Sequence, residues 1–109
     1  MRKLYIVKHD YDFDRIIEKN NFIKSEYFVI YHEDNNLKYD CFGISVGKKL
    51  GNAVYRNKMK RKIRSIIDIY RKDYNNNKNY IIILRKKGKD ASFNELKEDL
   101  INLILNINN

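Results

Sequence analysis

The sequence predicts an α/β fold of two layers, in which helices pack on a small sheet. Two observations support this class. Apolar residues recur at helical spacing in three segments, and short segments rich in β-branched and aromatic residues stand between them. The order is α-β-β-α-β-α, with room for an extra short strand, and such an order favours helices layered on a sheet. The length of 109 residues is typical of one domain, so we expect residues 1–109 to form a single domain.

The first helix is expected over residues 10–19. An aspartate at one of its first positions can cap it, and Phe13, Ile16 and Ile17 share one face at i, i+3 and i+4. Two strands follow, at 27–33 and 39–46, because both segments are β-branched and aromatic. The polar residues between them have turn chemistry, so we expect 27–46 to form an antiparallel hairpin.

The second helix is expected over residues 52–74, with Asn52 as the N-cap. Its apolar stripe has 3.6-residue spacing. The stripe consists of Met59, Ile63, Ile66, Ile67 and Tyr70. Asn57, Arg61 and Arg64 fall near the opposite face, with Lys58 and Lys60 on its flanks, so this helix should be apolar beneath and cationic outside.

The last third of the chain predicts one strand and one helix. Residues 80–85 form a nearly continuous apolar run, typical of a strand covered on one or both sides. A basic loop follows at 86–89. Ser92 and Glu95 match a capping box, and the helix after them carries an apolar stripe. That stripe consists of Phe93, Leu96, Leu100, Leu103, Ile104 and Ile107.

The charge balance favours a polyanionic partner. The net charge is +9, which points to nucleic acid first and an anionic membrane second. No apolar run approaches the roughly 20 residues of a membrane span, and the first residues lack the apolar core of a signal peptide. We therefore expect a soluble cytoplasmic protein without membrane attachment. Cys41, the single cysteine, is expected to be a small buried hydrophobe.

Catalytic motifs are missing from the sequence. His9 and His32 have no metal-ligand partner at i+3 or i+4, and no serine lies in a nucleophile elbow. Asp10, Asp12 and Asp14 alternate at a predicted helix start, where acids favour the helix dipole, and a metal site there is the alternative. We expect no catalytic residue and no metal site in the protein itself.

The stretch 51–64, GNAVYRNKMKRKIR, is the strongest functional signal. Six of its fourteen residues are cationic and none is acidic. A solvated helix face would normally intersperse acids at i, i+4 to relieve repulsion. Phosphate binding is therefore favoured over an ordinary solvated face. Because side chains cannot read the deep major groove of A-form RNA, a helix used on RNA should grip its backbone.

Aromatic side chains offer a second kind of nucleic-acid contact. Strand alternation puts Tyr27, Val29 and Tyr31 on one face, near Phe13 of the first helix. Such rings can stack on unpaired bases. Core packing is the alternative for Tyr31, and it is the interpretation we favour for three residues on the other side: Phe28, Ile30 and Phe42.

The stretch ISVGKKLGNAVYRNKMKRKIR (44–64) resembles the signature of the bacterial ribonuclease P protein family. The Asp12-Phe13 helix, the strand FVIY (28–31), the strand YIIILR (80–85) and the final helix resemble that family in the same order. The resemblance implies a four-stranded sheet with three helices and a left-handed βαβ crossover. It also implies the protein subunit of an endoribonuclease whose RNA subunit, with Mg²⁺, removes the 5′ leader from precursor tRNA.

The resemblance assigns residues to two surfaces. It implies contact with the catalytic RNA by Lys48, Lys49, Asn52, Arg56, Asn57, Lys58, Lys60, Arg61 and Arg64, and contact with the leader by Phe13, Ile17 and Tyr31. Lys58 replaces the third residue of the usual arginine-asparagine-arginine, and Ile17 stands where many members carry an aromatic residue. The implied partners are the catalytic RNA and precursor tRNA, with no obligate protein partner, and Mg²⁺ would be bound mainly by the RNA.

Two other hypotheses fit the charge and the carboxylates. A non-catalytic module that binds ribosomal or another structured RNA would show the same basic helix. A protein-only nuclease would use Asp10, Asp12 and Asp14 with a metal.

Overall fold

The computed structural model describes residues 5–7 and 10–109. In this part of the chain three helices and four strands form. The helices are α1 (Asp10–Glu18), α2 (Ala53–Arg71) and α3 (Phe93–Ile107), and the strands are β1 (Phe22–Lys24), β2 (Phe28–Asp34), β3 (Cys41–Ser45) and β4 (Lys78–Leu84). Short 3₁₀ helices span Lys48–Leu50 and Lys86–Asp90. The three predicted helices and the extra short strand are confirmed.

The four strands form one mixed sheet in the order β1-β2-β4-β3. β2 is antiparallel to β1 and to β4, whereas β3 is parallel to β4. The predicted hairpin over 27–46 is therefore wrong, because β4 lies between the two strands that it would have paired. β4 is the most apolar strand, and its position between β2 and β3 covers both of its edges. β3, α2 and β4 instead form a βαβ unit.

The main core lies between one face of the sheet and the helices α2 and α3. All five residues of the α2 stripe are buried, as predicted, and so are Leu96, Leu100, Leu103 and Ile104 of α3. Phe28, Ile30 and Phe42 point into this core and are fully buried, which confirms the interpretation of these three as core residues. Burying such side chains contributes about 1.5–3 kcal/mol each.

Both long helices begin at the capping residues that the sequence predicts. The Asn52 side chain accepts a hydrogen bond from the backbone N–H of Tyr55 at 2.9 Å. The Ser92 hydroxyl accepts one from the N–H of Glu95, whose carboxylate accepts one from the N–H of Ser92. These contacts satisfy backbone donors that a helix start leaves free.

The opposite face of the sheet is only partly covered, by α1. Ile16 of α1 is fully buried there, as is Ile81 of β4. Cys41, buried on β3, fulfils the expectation of a small buried hydrophobe. Pairing across the strands aligns Val29, Ile83 and Ser45 in a row on this face, and all three are half-buried. This row is the open part of the sheet.

Tyr27 does not share the face of Tyr31, which corrects the prediction from strand alternation. β2 begins only at Phe28, and Tyr27 packs against the main core. Its hydroxyl donates a hydrogen bond to Glu95 at 3.2 Å, and its N–H donates one to Asp99. Contacts with α3 before the strand begins therefore decide its direction.

Candidate nucleic-acid interface

The cations of α2 project away from the core, as the sequence predicts. Asn57, Lys58, Arg61 and Arg64 are exposed, whereas Arg56 and Lys60 are half-buried. The stripe from Met59 to Tyr70 fixes this orientation, because it anchors the other side of the helix in the core. The first acid on α2 is Asp68, so the first four turns of the helix present positive charge alone.

These cations are not neutralised by the rest of the described chain. Within the described residues, the cations that form ion pairs are Arg15, Lys19 and Lys78. No cation at positions 56–64 forms one with a described residue. The Nε atom of Arg56 is buried and has no hydrogen-bond acceptor in this part of the chain. A buried guanidinium nitrogen without an acceptor is costly.

Two short helices extend the positive surface beside α2. Lys48 and Lys49 lie exposed on the 3₁₀ helix that precedes it. The second 3₁₀ helix, Lys86–Asp90, is held against the start of α2 by Tyr55. The Tyr55 hydroxyl donates to the carbonyl of Lys89 at 3.3 Å, and the Lys89 Nζ lies 5.6 Å from the centre of the Tyr55 ring. Sequence reasoning described the loop 86–89 as basic but did not join it to α2.

A small cavity joins α1, β3 and α2. Its volume is about 110 Å³. It is lined by Ile6, Val7, Phe13, Phe42, Gly43, Ile44, Lys60 and Arg64. An aromatic ring from the predicted leader group and two cations from the predicted RNA-subunit group therefore meet at one place. We call this cavity and the adjoining open sheet face the cleft.

Gly43 shapes the cleft, and sequence reasoning did not single it out. A Cβ atom at this position would lie 2.5 Å from Cζ of Phe13 and 2.9 Å from Cδ1 of Ile81. Only a residue without a side chain lets the Phe13 ring lie this close to β3. The signal in the sequence is a glycine inside a strand, which often marks the close approach of another group.

The other two predicted leader residues lie on this side of the sheet. Tyr31 is half-buried and packs on Phe22 of β1, with the ring centres 5.3 Å apart. Strand pairing sets Tyr31, Ile81 and Gly43 in one row, and the Phe13 ring packs against Gly43 at its end. Ile17 is half-buried on α1. Tyr31 is thus packed against the protein on one side and accessible in part.

A buried carboxylate fixes α1 on the sheet. Glu33 of β2 accepts hydrogen bonds from Arg15 of α1, from Lys19 just after this helix and from Asn79 of β4, the last two at 2.8 and 2.7 Å. Burial alone would raise the pKa of Glu33, but the three hydrogen bonds outweigh it and lower the pKa to about 2. The carboxylate is therefore charged at neutral pH, and it holds the helix that carries Phe13.

The aspartates at the start of α1 do not assemble a metal site. Asp12 accepts a hydrogen bond from Arg15 at 3.3 Å. Within residues 5–7 and 10–109, no three side chains of His, Cys, Asp or Glu are grouped so that they could hold a metal ion. The described helices also include none that is long and apolar enough to cross a membrane.

Known proteins with similar sequences cover nearly the whole chain. The family model described as Ribonuclease P matches residues 1–108. A ribonuclease P protein component of Mycoplasma mycoides is 40% identical, over 98% of this chain and 99% of that protein. The ribonuclease P protein component of Streptococcus agalactiae is 38% identical, over 95% and 94%.

Solved structures agree with these relatives. The RNase P protein of Staphylococcus aureus has a TM-score of 0.85 at 35% identity, covering 94% of each chain. The RNase P protein of Thermotoga maritima has a TM-score of 0.83 at 31% identity, covering 89% of this chain and 92% of that one. A module associated with ribosomal RNA is not favoured. The chain therefore belongs to the ribonuclease P protein family, whose members are protein subunits of a tRNA-processing endoribonuclease that contains RNA.

Proposed function

We propose that this subunit uses two surfaces, one for the catalytic RNA and one for the 5′ leader of precursor tRNA. The observation that carries the proposal is the meeting of Phe13 with Lys60 and Arg64 around one cavity. The ring offers a stacking surface, and the cations offer phosphate contacts. Together they suit an unpaired strand of RNA.

The surface for the catalytic RNA is the outer side of α2 with the 3₁₀ helix before it. Its proposed residues are Lys48, Lys49, Asn52, Arg56, Asn57, Lys58, Lys60, Arg61 and Arg64, of which Lys60 and Arg64 also line the cleft. A dense set of cations without acids binds phosphates through counterion release, whatever the base sequence. Lys58 contributes a point charge where an arginine would offer a bidentate fork, so its contact is the less directional one.

The surface for the leader is the cleft, with Phe13, Ile17 and Tyr31 as the proposed contacts. The cavity of about 110 Å³ is too small for a drug-sized ligand, which typically occupies about 300–1,000 Å³. It suits part of a single strand that runs along the open sheet. The half-buried row Val29, Ile83 and Ser45 would then lie beneath that strand.

The chemistry in this proposal belongs to the RNA subunit. Among the described residues, no three His, Cys, Asp or Glu side chains are grouped as metal ligands, and we propose that Mg²⁺ is bound mainly by the RNA. When bound to the RNA, Mg²⁺ would activate the water that cleaves the phosphodiester. The protein residues hold the leader and neutralise its charge. We propose that this takes place in the cytoplasm, without an obligate protein partner.

Reconstitution tests the proposal. The protein is combined with a bacterial ribonuclease P RNA at low Mg²⁺ concentration, and cleavage of a precursor tRNA is compared with that by the RNA alone. We expect faster cleavage with the protein, and the same rate in both samples would overturn the proposal.

Two variants separate the two surfaces. Phe13→Ala should weaken binding of a precursor that carries a leader and leave the affinity for the catalytic RNA unchanged. Arg61→Ala should weaken assembly with the catalytic RNA. Equal effects of both variants on both measurements would contradict two separate surfaces.

A further inference from the structure

A second, larger cavity lies at the far end of α2. Its volume is about 260 Å³. Its walls include Tyr5, Tyr39, Tyr74, Lys38, Arg71 and Asp40. We call it the tyrosine pocket. Three aromatic rings and two cations around one opening are the side-chain types that bind unpaired nucleotides.

The aromatic walls of this pocket are held in place by contacts between rings. The guanidinium carbon of Arg71 lies 3.2 Å from the centre of the Tyr5 ring, which in turn meets Tyr39 edge to face at 5.3 Å. Tyr74 stacks on the buried Tyr70 with the ring centres 5.1 Å apart, and 44% of Tyr74 stays exposed. The platform is thus ordered before any ligand arrives, which lowers the entropic cost of binding.

Hydrogen bonds fix the loops around the rings. The buried carboxylate of Asp40 accepts hydrogen bonds from the N–H groups of Lys78 and Asn76, at 2.8 and 3.2 Å. The side-chain amide of Asn75 donates to the carbonyl of Lys38 at 2.7 Å. The backbone of Lys38 is therefore tied to the loop after α2, while its side chain is exposed.

The pocket is close to the size of one nucleobase with part of its sugar. Its 260 Å³ falls just below the range of about 300–1,000 Å³ that holds drug-sized ligands. A base would stack on the tyrosine rings, and its phosphate would lie near Lys38 and Arg71.

The tyrosine pocket continues the cleft along three shared elements. Tyr5 lines the tyrosine pocket, and the next residue, Ile6, lines the cleft. In the same way Asp40, just before β3, lines the pocket, and Phe42 of β3 lines the cleft. On α2, Arg64 lines the cleft and Arg71 lines the pocket. Seven residues return to nearly the same helix face and span about 10 Å. A strand that leaves the cleft beside Arg64 would reach Arg71 after this distance, passing Asp68, which lies between them on the same face.

We propose that the tyrosine pocket binds an unpaired nucleotide of the 5′ leader, upstream of the part held in the cleft. This inference rests on the proposed function and adds a second leader subsite to it. It predicts that the benefit of the pocket depends on leader length, because a short leader ends before it reaches Arg71.

The experiment measures the affinity of the reconstituted holoenzyme for precursor tRNAs whose leaders increase one nucleotide at a time. The variants are Tyr74→Ala, Tyr74→Phe and Lys38→Ala, with Ile69→Ala as a matched control, since Ile69 is 40% exposed on α2 and lines neither cavity. Wild-type affinity should rise in two steps as the leader lengthens. Tyr74→Ala should remove the second step, a loss of about 5- to 150-fold, which corresponds to stacking of one base.

The other variants separate stacking from folding and from charge. Tyr74→Phe should retain the second rise in affinity, because it keeps the aromatic ring. Lys38 lies exposed in a loop, so Lys38→Ala should not disturb the fold. It should lower the slope of log affinity against log salt for long leaders by about 0.7.

A loss of affinity at every leader length, or weaker assembly with the catalytic RNA, would overturn the leader assignment in favour of the RNA subunit. A second step unchanged in both Tyr74→Ala and Lys38→Ala would overturn the pocket as a nucleotide site. If wild-type protein adds no affinity at any length, the proposed function itself fails.

Discussion

The ring of Phe13 lies over Gly43 so closely that a Cβ atom there would be 2.5 Å from the ring. Phe13 comes from α1 and Gly43 from β3, thirty residues apart in the chain. This contact sets the width of the cleft, because it determines how far the aromatic ring stands above the sheet. Adding a single methyl group at Gly43, as in alanine, therefore tests whether the position of the Phe13 ring matters.

We expect Gly43→Ala to push the Phe13 ring outward and to weaken binding of precursor tRNA with a leader. Overpacking of this kind lowers the free energy of unfolding by about 1–3 kcal/mol. Denaturant titration and holoenzyme binding with leader-bearing and leaderless tRNA measure the two effects. Gly47→Ala is the matched control, since no atom beyond its two chain neighbours lies within 4 Å of its Cβ position and its φ of −64° suits alanine. Indistinguishable results for the two variants would show that Phe13 does not depend on Gly43.

We expect Glu33→Gln to loosen α1. Losing charged hydrogen bonds to Arg15 and Lys19 should lower the free energy of unfolding at pH 7 by about 1.5–3 kcal/mol. Glu18→Gln, an exposed carboxylate on the same helix, is the control and should change stability little. A stability equal to that of wild type would mean that solvent already screens the pairing.

The same carboxylate gives a pH dependence with a definite sign. The pKa of Glu33 falls from 4.5 to about 2 on folding, so the unfolded chain binds more protons between these values. The stabilisation is complete above about pH 4.5 and is lost as the pH falls towards 2. Acid titration of thermal stability should therefore show a steeper loss for wild type than for Glu33→Gln. Parallel curves for the two proteins would refute this assignment.

We expect Arg61→Ala to weaken binding to the catalytic RNA and to flatten its salt dependence. Each lost phosphate contact lowers the slope of log affinity against log salt by roughly 0.7–0.9. Binding measured at several salt concentrations gives the slope. Lys97→Ala on α3 removes one positive charge elsewhere and should leave the slope nearly unchanged. An unaltered slope in Arg61→Ala would put this side chain outside the interface.

We expect two substitutions of Asn52 to separate helix capping from RNA binding. Asn52→Ala removes the cap and should cost about 0.5–2 kcal/mol of stability. Asn52→Asp keeps a capping oxygen and places a negative charge where the helix dipole favours it, so stability should be retained. That charge should weaken binding to the catalytic RNA. Wild-type affinity in Asn52→Asp would mean that Asn52 serves only as a cap.

Local signals in the sequence predicted the helices and the orientation of α2. The cap at Asn52, the capping box of Ser92 and Glu95, and the stripe from Met59 to Tyr70 all depend on residues within a few turns of each other. The outward direction of Arg61 and Arg64 follows from that stripe. The expected strands also form, because β-branched and aromatic runs favour extended backbone.

Strand pairing and the cleft depend on contacts between distant residues. A turn-like segment after β2 suggested a hairpin, but the apolar strand β4 gains more by lying between β2 and β3. Tyr27 turns towards α3 because Glu95 and Asp99 bind it there.

The sequence by itself determined that this chain has an amphipathic basic helix and a signature of the ribonuclease P protein family. Only the tertiary structure brought Phe13, Gly43 and Arg64 around one cavity and three tyrosines around another. The physical reason is that spacing along the chain specifies a helix face or a strand face, whereas burial of the whole apolar surface specifies which faces meet.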